Sequence, residues 1–542
     1  MRRLSSTALL AGLCCFGENT VDKSPVYVGS GSLIVNQAAD AIVGYLKLPK
    51  PLGAGATREM AESALRGLVD QYEGTRVSHV FWNVCYQRAA YRSDAWASYW
   101  DVPNPDIDVV SWPRRYYELH KLGLDDVFAL LVDRSREKGI SPWISLRMND
   151  MHYHEDPNRM NPLWNENPQF RNDPKPGFHN GFDFTRAEVR ALYMDLIEEV
   201  LSRWDTDGVE LDWMRFPHHF RNGELEAGRT ALTGFMREVR EKADAAAKRL
   251  GHPVGVAVRV PATPEFADGL GMDAVAWARE GVIDVLIPGS LWRPSFPDVP
   301  IGQWRDALDG SRCAIVPGTD LWIGGMRGGV VAATGMAPIR AFTASMLDRG
   351  ADAIYLFNHF GPTDMKLASL TVEDGVDRGR TMGDLLRVAG SGEKALLGPR
   401  RHVLTFHDPV PPGADYRPPL PAEIAPGRDA PFALHIGPPP SAGSCRLRVG
   451  LADSDGYEKV TLNVTVNGTA CDVQGDVPVP AQRKPARHGA ITDPDAVAPR
   501  LLRFGVPIEA LQRGYNEIAV GMKEGARQRI IWLELRIDPE TE

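Results

Sequence analysis

The sequence predicts an α/β chain, a (β/α)8 TIM barrel followed by an antiparallel β-sandwich domain, and three observations predict it. Short apolar runs alternate with helical patterns eight times between residues 40 and 396. One of those runs, residues 208–214 (GVELDWM), carries two acids at strand spacing inside an apolar element. From Leu397 onward the helical patterns stop and short alternating runs replace them.

Taken in order, residues 41–47 (AIVGYLK) form the first expected strand, followed by a helical pattern over 58–72. Residues 77–84 (VSHVFWNV) give the second strand, then a long aromatic loop and a helix near 125–138. Residues 143–147 (WISLR) are the third, and a further long loop leads to a helix over 186–203, whose apolar residues recur at helical spacing. Residues 208–214 are the fourth strand and 230–250 its helix. The remaining strands fall at 254–260 (VGVAVRV), 283–287 (IDVLI), 313–316 (CAIV) and 353–357 (AIYLF), with helices near 273–279, 303–308 and 337–349 between them. Pro and Gly crowd residues 408–443, and beyond them CRLRVGL, VTLNVTVNG, NEIAVGM and RIIWLELRI alternate as sandwich strands do. The expected domains are a signal segment at 1–20, a linker at 21–39, the barrel at 40–396 and the sandwich at 397–542.

A chain of 542 residues exceeds one ordinary core. Its net charge of −9 and pI near 5.9, with no long Lys/Arg run, argue against nucleic acid or an anionic membrane as partner. Arg2 and Arg3 precede a short apolar segment over residues 7–17, which reads as a secretory signal and is too short to span a bilayer. The protein is therefore expected to be secreted or periplasmic. A lipoprotein cysteine at Cys14 or Cys15 is disfavoured because neither follows a small residue, and no other stretch is a transmembrane candidate. The six cysteines show no CxxC spacing, which speaks against a cysteine-based zinc or iron–sulfur site. Cys445 and Cys471 are either a disulfide or two buried thiols. No cofactor is expected.

Glu210 and Asp212 share one face of their strand, and burying two carboxylates costs several kcal/mol unless each is paired. Such a pair serves either a structural ion-pair network or a catalytic site. In this fold function lies at the C-terminal strand ends. Those ends supply Trp82 and Asn83 after the second strand, and Arg147, Asn149, Asp150, His152 and His154 after the third. Arg215 follows the fourth, Arg259 and Glu265 the fifth, Asp320 the seventh, and Asn358 and His359 the eighth. Arg147 and Arg259, on the strands flanking the fourth, are expected to hold the deeper Glu210 as an ion-pair partner. That leaves Asp212, one pleat nearer the mouth, as the reacting acid, with the reverse assignment open. Asp150, Glu265 and Asp320 are candidates for a second carboxylate, and the other strand-end residues for substrate binding.

Twelve of the thirteen tryptophans precede residue 350, and Trp96, Trp100, Trp112, Trp164, Trp292 and Trp322 fall in expected loops. Aromatic faces beside acids and amides suit carbohydrate, although packing of long loops uses the same residues. His152 and His154 form an HxH pair next to Glu155 and Asp156, a weak metal signal. His218 and His219 read as loop residues. There is no G-x-S-x-G elbow, P-loop or dinucleotide fingerprint.

The motif DGVELDWMRFP resembles the signature of bacterial glycosyl-hydrolase-like barrel proteins of the family-10-like group, through Asp207, Gly208, Asp212, Trp213, Arg215, Phe216 and Pro217. The resemblance covers residues 40 to 395 and implies a barrel glycosidase with an acid at the end of the fourth strand. The same stretch also looks like the DGxDxDWE signature of family 18 chitinases. Met214 stands where that family places its proton-donating glutamate, so the chitinase mechanism does not carry over. The expected function is glycoside hydrolysis of a polysaccharide or oligosaccharide. The alternatives are a non-catalytic carbohydrate-binding barrel and a metal-dependent hydrolase or lyase using the His152/His154 loop.

Overall fold

The computed structural model describes residues 28–49, 55–174, 179–291, 297–320, 322–329, 331–333, 335–359, 361–367, 379–477, 490–491 and 497–540. The expected signal segment, with Cys14 and Cys15, and Trp292 lie outside the described residues.

Eight parallel walls close into a barrel. β1 (Ser32–Gln37), β2 (Val77–Cys85), β3 (Ser141–Arg147), β4 (Gly208–Asp212), β5 (Gly255–Pro261) and β6 (Val285–Gly289) pair in sequence order. The seventh wall comes in two pieces, β7 (Ala314–Ile315) and β8 (Gly318–Thr319), on either side of Pro317, which has no N–H to give a ladder. A hairpin of β9 (Trp322–Gly324) and β10 (Val331–Ala333) follows. The eighth wall, β11 (Ala353–Leu356), pairs with β8 on one side and β1 on the other, which completes the circle.

The first wall corrects the sequence reading. It lies at Ser32–Gln37, within the stretch expected to be a linker, and the run expected to be the first strand instead holds the helix Ala39–Gly44. A short apolar run fits a strand or a buried helix equally well. Here Ala39, Ile42 and Val43 pack outside the barrel with Leu33 and Val35, while Ile34 joins the interior cluster.

That interior is a packed floor of Ile34, Phe81, Trp143, Ala257, Val285, Ile287 and Tyr355, with Phe81 stacked on Trp143 at 4.9 Å. Gly208 opens β4 because the Trp143 ring occupies its side-chain space: a Cβ there would stand 2.4 Å from the indole. The floor thus ends beneath the acids of β4.

The C-terminal domain is a sandwich of two antiparallel sheets. One runs β12 (Arg400–Val403), β22 (Gln528–Pro539), β15 (Gly443–Leu451), β20 (Arg500–Val506), β18 (Asp472–Val477), with β13 (Ala422–Ile424) also on β22. The other runs β14 (Ala430–His435), β21 (Tyr515–Glu524), β16 (Thr461–Val466), β17 (Thr469–Ala470). Leu447, Val449, Val464, Val520 and Leu535 fill the core between them. Cys445 and Cys471 are separate thiols. A buried carboxylate, Glu534, accepts from Arg401 Nε (2.6 Å), Arg448 Nη1 (3.2 Å) and Trp532 Nε1 (2.8 Å). No helix among the described residues is long and apolar enough to cross a membrane.

Barrel and sandwich meet over the loops that follow the fifth, sixth and seventh walls. Ile323 of β9 packs with Val403 and Trp532, and Gly325 lies so close to β22 that a Cβ would stand 2.9 Å from the Ile531 carbonyl. The Pro-rich chain after β12 continues the contact. Arg327 pairs with Asp408 at 2.7 Å, Leu291 N donates to the Asp408 carbonyl at 2.9 Å, and Phe266 meets His407 and Tyr416 edge-on.

Candidate active site

Strand register builds the site. Asn83, Ser145, Glu210 and Ala257 lie level across β2 to β5, and one pleat nearer the mouth Arg147, Asp212 and Arg259 form the next row. Both arginines are therefore level with Asp212, not with Glu210. Arg259 clamps Asp212 with two bonds, Nε to Oδ1 (2.8 Å) and Nη2 to Oδ2 (3.1 Å), and both side chains are buried. The Met214 N–H donates to Asp212 Oδ1 at 3.0 Å. Arg147 turns to Asp150 (3.1 Å) and Asn358 (2.8 Å) and lies over the Tyr86 ring. The expected pairing of Glu210 with an arginine is thus reversed, and Asp212 is the held partner.

Glu210 is held by neutral groups instead. The Tyr355 hydroxyl donates to Oε1 at 2.6 Å and Asn36 Nδ2 to Oε2 at 3.2 Å. With no exposure to solvent, burial first and the nearby Asp212 charge second push its carboxyl up to about 7. Glu210 accordingly holds its proton below that value and gives it up above it.

Around these acids lies a ring of charged side chains. Asp150 Oδ1 accepts from the His152 N–H (3.0 Å) and pairs with its Nδ1 (2.7 Å). Burial alone would raise Asp150, but His152, Arg147 and Arg215 outweigh it and hold the carboxyl well below its ordinary value. Burial lowers His152, against the pull of Asp150, and its Nε2 lies 2.8 Å from Arg215 Nη2. Burial, and then Arg147, bring Arg215 down to about 10. Phe357 lies 3.6 Å beneath the Arg259 guanidinium. Asp320 is buried just past β8.

Three expected site residues lie elsewhere. Trp82 points outward and packs among the helices, because inward and outward positions alternate and its neighbours Phe81 and Asn83 take the inner face. Asn149, at φ 100°, spends its amide on the backbone of Phe182 and His218 and fastens two loops. Glu265 sits exposed in the first turn of the helix Pro264–Gly269, whose buried side is Phe266. The HxH pair diverges: His152 meets Asp150, while His154 stacks on His179. Among the described residues no group of three or more His, Cys, Asp or Glu side chains is placed to hold a metal ion. His219 is a buried loop residue bonded to the Trp213 carbonyl. Several loop tryptophans pack: Trp96 donates to Leu192, Trp112 to Tyr153 and Trp164 to Asn180.

The structure adds Asn36, Ser145 and Tyr355, and sets His359 beside them. Asn36 Nδ2 reaches Ser145 Oγ (3.1 Å), and the His359 N–H donates to the Asn36 carbonyl. The Oδ1 atoms of Asn36 and Asn83 and both ring nitrogens of His359 are buried without a hydrogen-bond partner among the described residues. Buried polar atoms in that state call for a ligand or water. Asn36 was hidden by the misplaced first strand. Tyr355 was readable, since it alternates with Ala353 and Phe357 on the inner face.

No family model matches the chain, and no curated protein matches it. Among solved structures it is similar to an α-L-fucosidase isoenzyme 2 from Paenibacillus thiaminolyticus, with 14% identity, a TM-score of 0.39, and coverage of 67% of this chain and 48% of that one. The chain therefore spans about half the length of the fucosidase. It is also similar to an α-amylase from Geobacillus thermoleovorans (10%, TM-score 0.37, 92% and 100%) and a family GH18 chitinase from Chromobacterium violaceum (11%, TM-score 0.35, 91% and 89%).

Proposed function

We propose that the protein is a glycoside hydrolase in which Glu210 carries the proton and Asp212 is its ionised neighbour. One observation carries this reading: β4 delivers two inward carboxylates on successive pleats, one held by neutral donors and the other by a bidentate arginine. Environments that drive two acids apart assign a proton donor and a charged partner. Glu210 would protonate the glycosidic oxygen, and a carboxylate at a neighbouring strand end, Asp212, Asp150 or Asp320, would meet the anomeric carbon or activate water. The unpartnered polar atoms of Asn36, Asn83 and His359 suit sugar hydroxyls. The likeness of the β4 motif to family-10-like barrels agrees with this reading, and Met214, buried and without an ionisable group, separates it from the chitinase route. The substrate class is a polysaccharide or oligosaccharide, met outside the cytoplasm if residues 1–20 act as a signal.

A screen of the purified protein against a glycan library, with Glu210→Gln and Asp212→Asn alongside, tests the reading. Hydrolysis of at least one glycan is expected, reduced a hundredfold or more in Glu210→Gln. Full activity in that variant would remove Glu210 from the chemistry. One observation favours a second reading, a barrel that binds glycan without cleaving it: both Asp212 oxygens are already engaged and Glu210 is fully enclosed. Saturable binding with no turnover in the same screen would establish it.

A further inference from the structure

The acid pair depends on a guanidinium whose remaining donors leave the barrel wall. Besides Asp212, Arg259 donates from Nη1 to the Ser290 carbonyl at 2.9 Å and from Nη2 to the Leu291 carbonyl at 3.3 Å. Those carbonyls belong to the loop after β6. A loop carbonyl fixes a guanidinium only as well as the loop itself is fixed. The N–H of Leu291 is bound by the Asp408 carbonyl, from the chain that leads into the sandwich.

We propose that Asp408 is a positioning residue that holds Arg259 square to Asp212 from outside the barrel, acting through Leu291. The proposal rests on the reading of Glu210 and Asp212 as the working pair. The connection is continuous: Asp408 carbonyl to Leu291 N–H, Leu291 and Ser290 carbonyls to Arg259, Arg259 to Asp212. Asp408 is itself anchored by its side chain, which accepts from Arg327 Nη2 at 2.7 Å on the loop between β9 and β10. Its neighbours are pinned on the other side. The His407 N–H donates to the Tyr416 hydroxyl at 2.8 Å, both rings meet Phe266, and Gly269 lies so near Pro411 that a Cβ there would stand 2.8 Å from the proline ring. The segment therefore ties together the loops after the fifth, sixth and seventh walls, and its middle contact leads to the acids.

A plain interdomain contact would stabilise the protein without touching the pair, and the molecule contains one for comparison. Arg513 of the sandwich bridges Asp348 at 2.7 Å, at the end of the helix Met336–Asp348. The test uses full-length protein and the carboxyl C=O infrared band of protonated Glu210, identified by its loss in Glu210→Gln. Asp212 raises the proton affinity of Glu210 and Arg259 lowers it. A loosened Arg259 leaves Asp212 less neutralised, so the Glu210 midpoint moves up.

Asp408→Ala and Arg327→Ala are each expected to raise that midpoint by about half a pH unit or more, a threefold gain in proton affinity. Arg327→Lys should return it toward wild type, and Arg513→Ala should leave it unchanged while lowering the melting temperature. If Asp408→Ala does not fold, Arg327→Ala decides, since the Arg327 side chain is 64% exposed. A Glu210 midpoint that stays at the wild-type value in the folded variants, or that moves equally in Arg513→Ala, overturns the proposal. The readout needs no substrate, so a negative glycan screen counts against the hydrolase reading alone.

Discussion

Glu210 in the barrel and Glu534 in the sandwich are the same side chain at the same burial, and their surroundings shift them in opposite directions. Both are fully enclosed on a strand. Burial pushes each carboxyl up. Around Glu534 the guanidinium groups of Arg401 and Arg448 outweigh that push and hold it below its ordinary value. Around Glu210 the hydrogen-bonding groups are a phenol and an amide, and the charge that acts on it most is another carboxylate, so the push prevails. Among arginines a buried glutamate is shifted down, whereas among neutral donors it is shifted up.

The largest way to break the comparison is Glu534→Ala. It strands Arg401 and Arg448 as buried charges, and a loss of about 3–5 kcal/mol in urea unfolding is expected. Glu210→Gln should cost far less, because glutamine is close in shape to a protonated glutamate. A loss as large as that of Glu534→Ala would show that Glu210 is ionised in the native state.

The pH dependence of unfolding separates the two with opposite signs. Glu210 titrates higher in the folded chain than its ordinary 4.5, at about 7. The native state then binds more protons between those values, and the stability Glu210 contributes is full below 4.5 and fades as pH rises through 7. Glu534 titrates lower than its ordinary value, so its contribution is full above the carboxylate range and is lost as pH falls. Denaturant curves from pH 4 to 8 should show the first slope in wild type and not in Glu210→Gln. The smallest effect comes from Tyr355→Phe, which removes one donor from Glu210. A cost of about 1 kcal/mol and an upward move of the Glu210 midpoint are expected, read by urea unfolding and infrared titration.

The barrel was legible in the sequence where the periods were clean. The acids of β4 and the apolar runs of β2, β3 and β5 repeat every second residue, and that repetition fixes which side chains face inward. The first wall was not, since AIVGYLK and SLIVNQ are both short apolar runs and only packing decides between them. The arginine pairing failed for a different reason. Asp212 and Arg259 are neighbours because β4 and β5 align at that level, and strand register is set by the whole sheet, not by either strand. Glu265 failed because a helix begins just before it and turns Phe266 inward in its place.

The contact of Ile323 with Trp532 also bears on how the molecule is made. The two residues are separated by about two hundred positions of sequence, and the strands between them belong almost entirely to the sandwich. A chain emerging from the ribosome can close all eight walls before β22 exists. The hairpin after the seventh wall already has Trp322 against the barrel core, but the cluster around Ile323 is complete only when Trp532 joins it. The hairpin therefore takes its last packing partner from a strand made long after the walls that carry the acids.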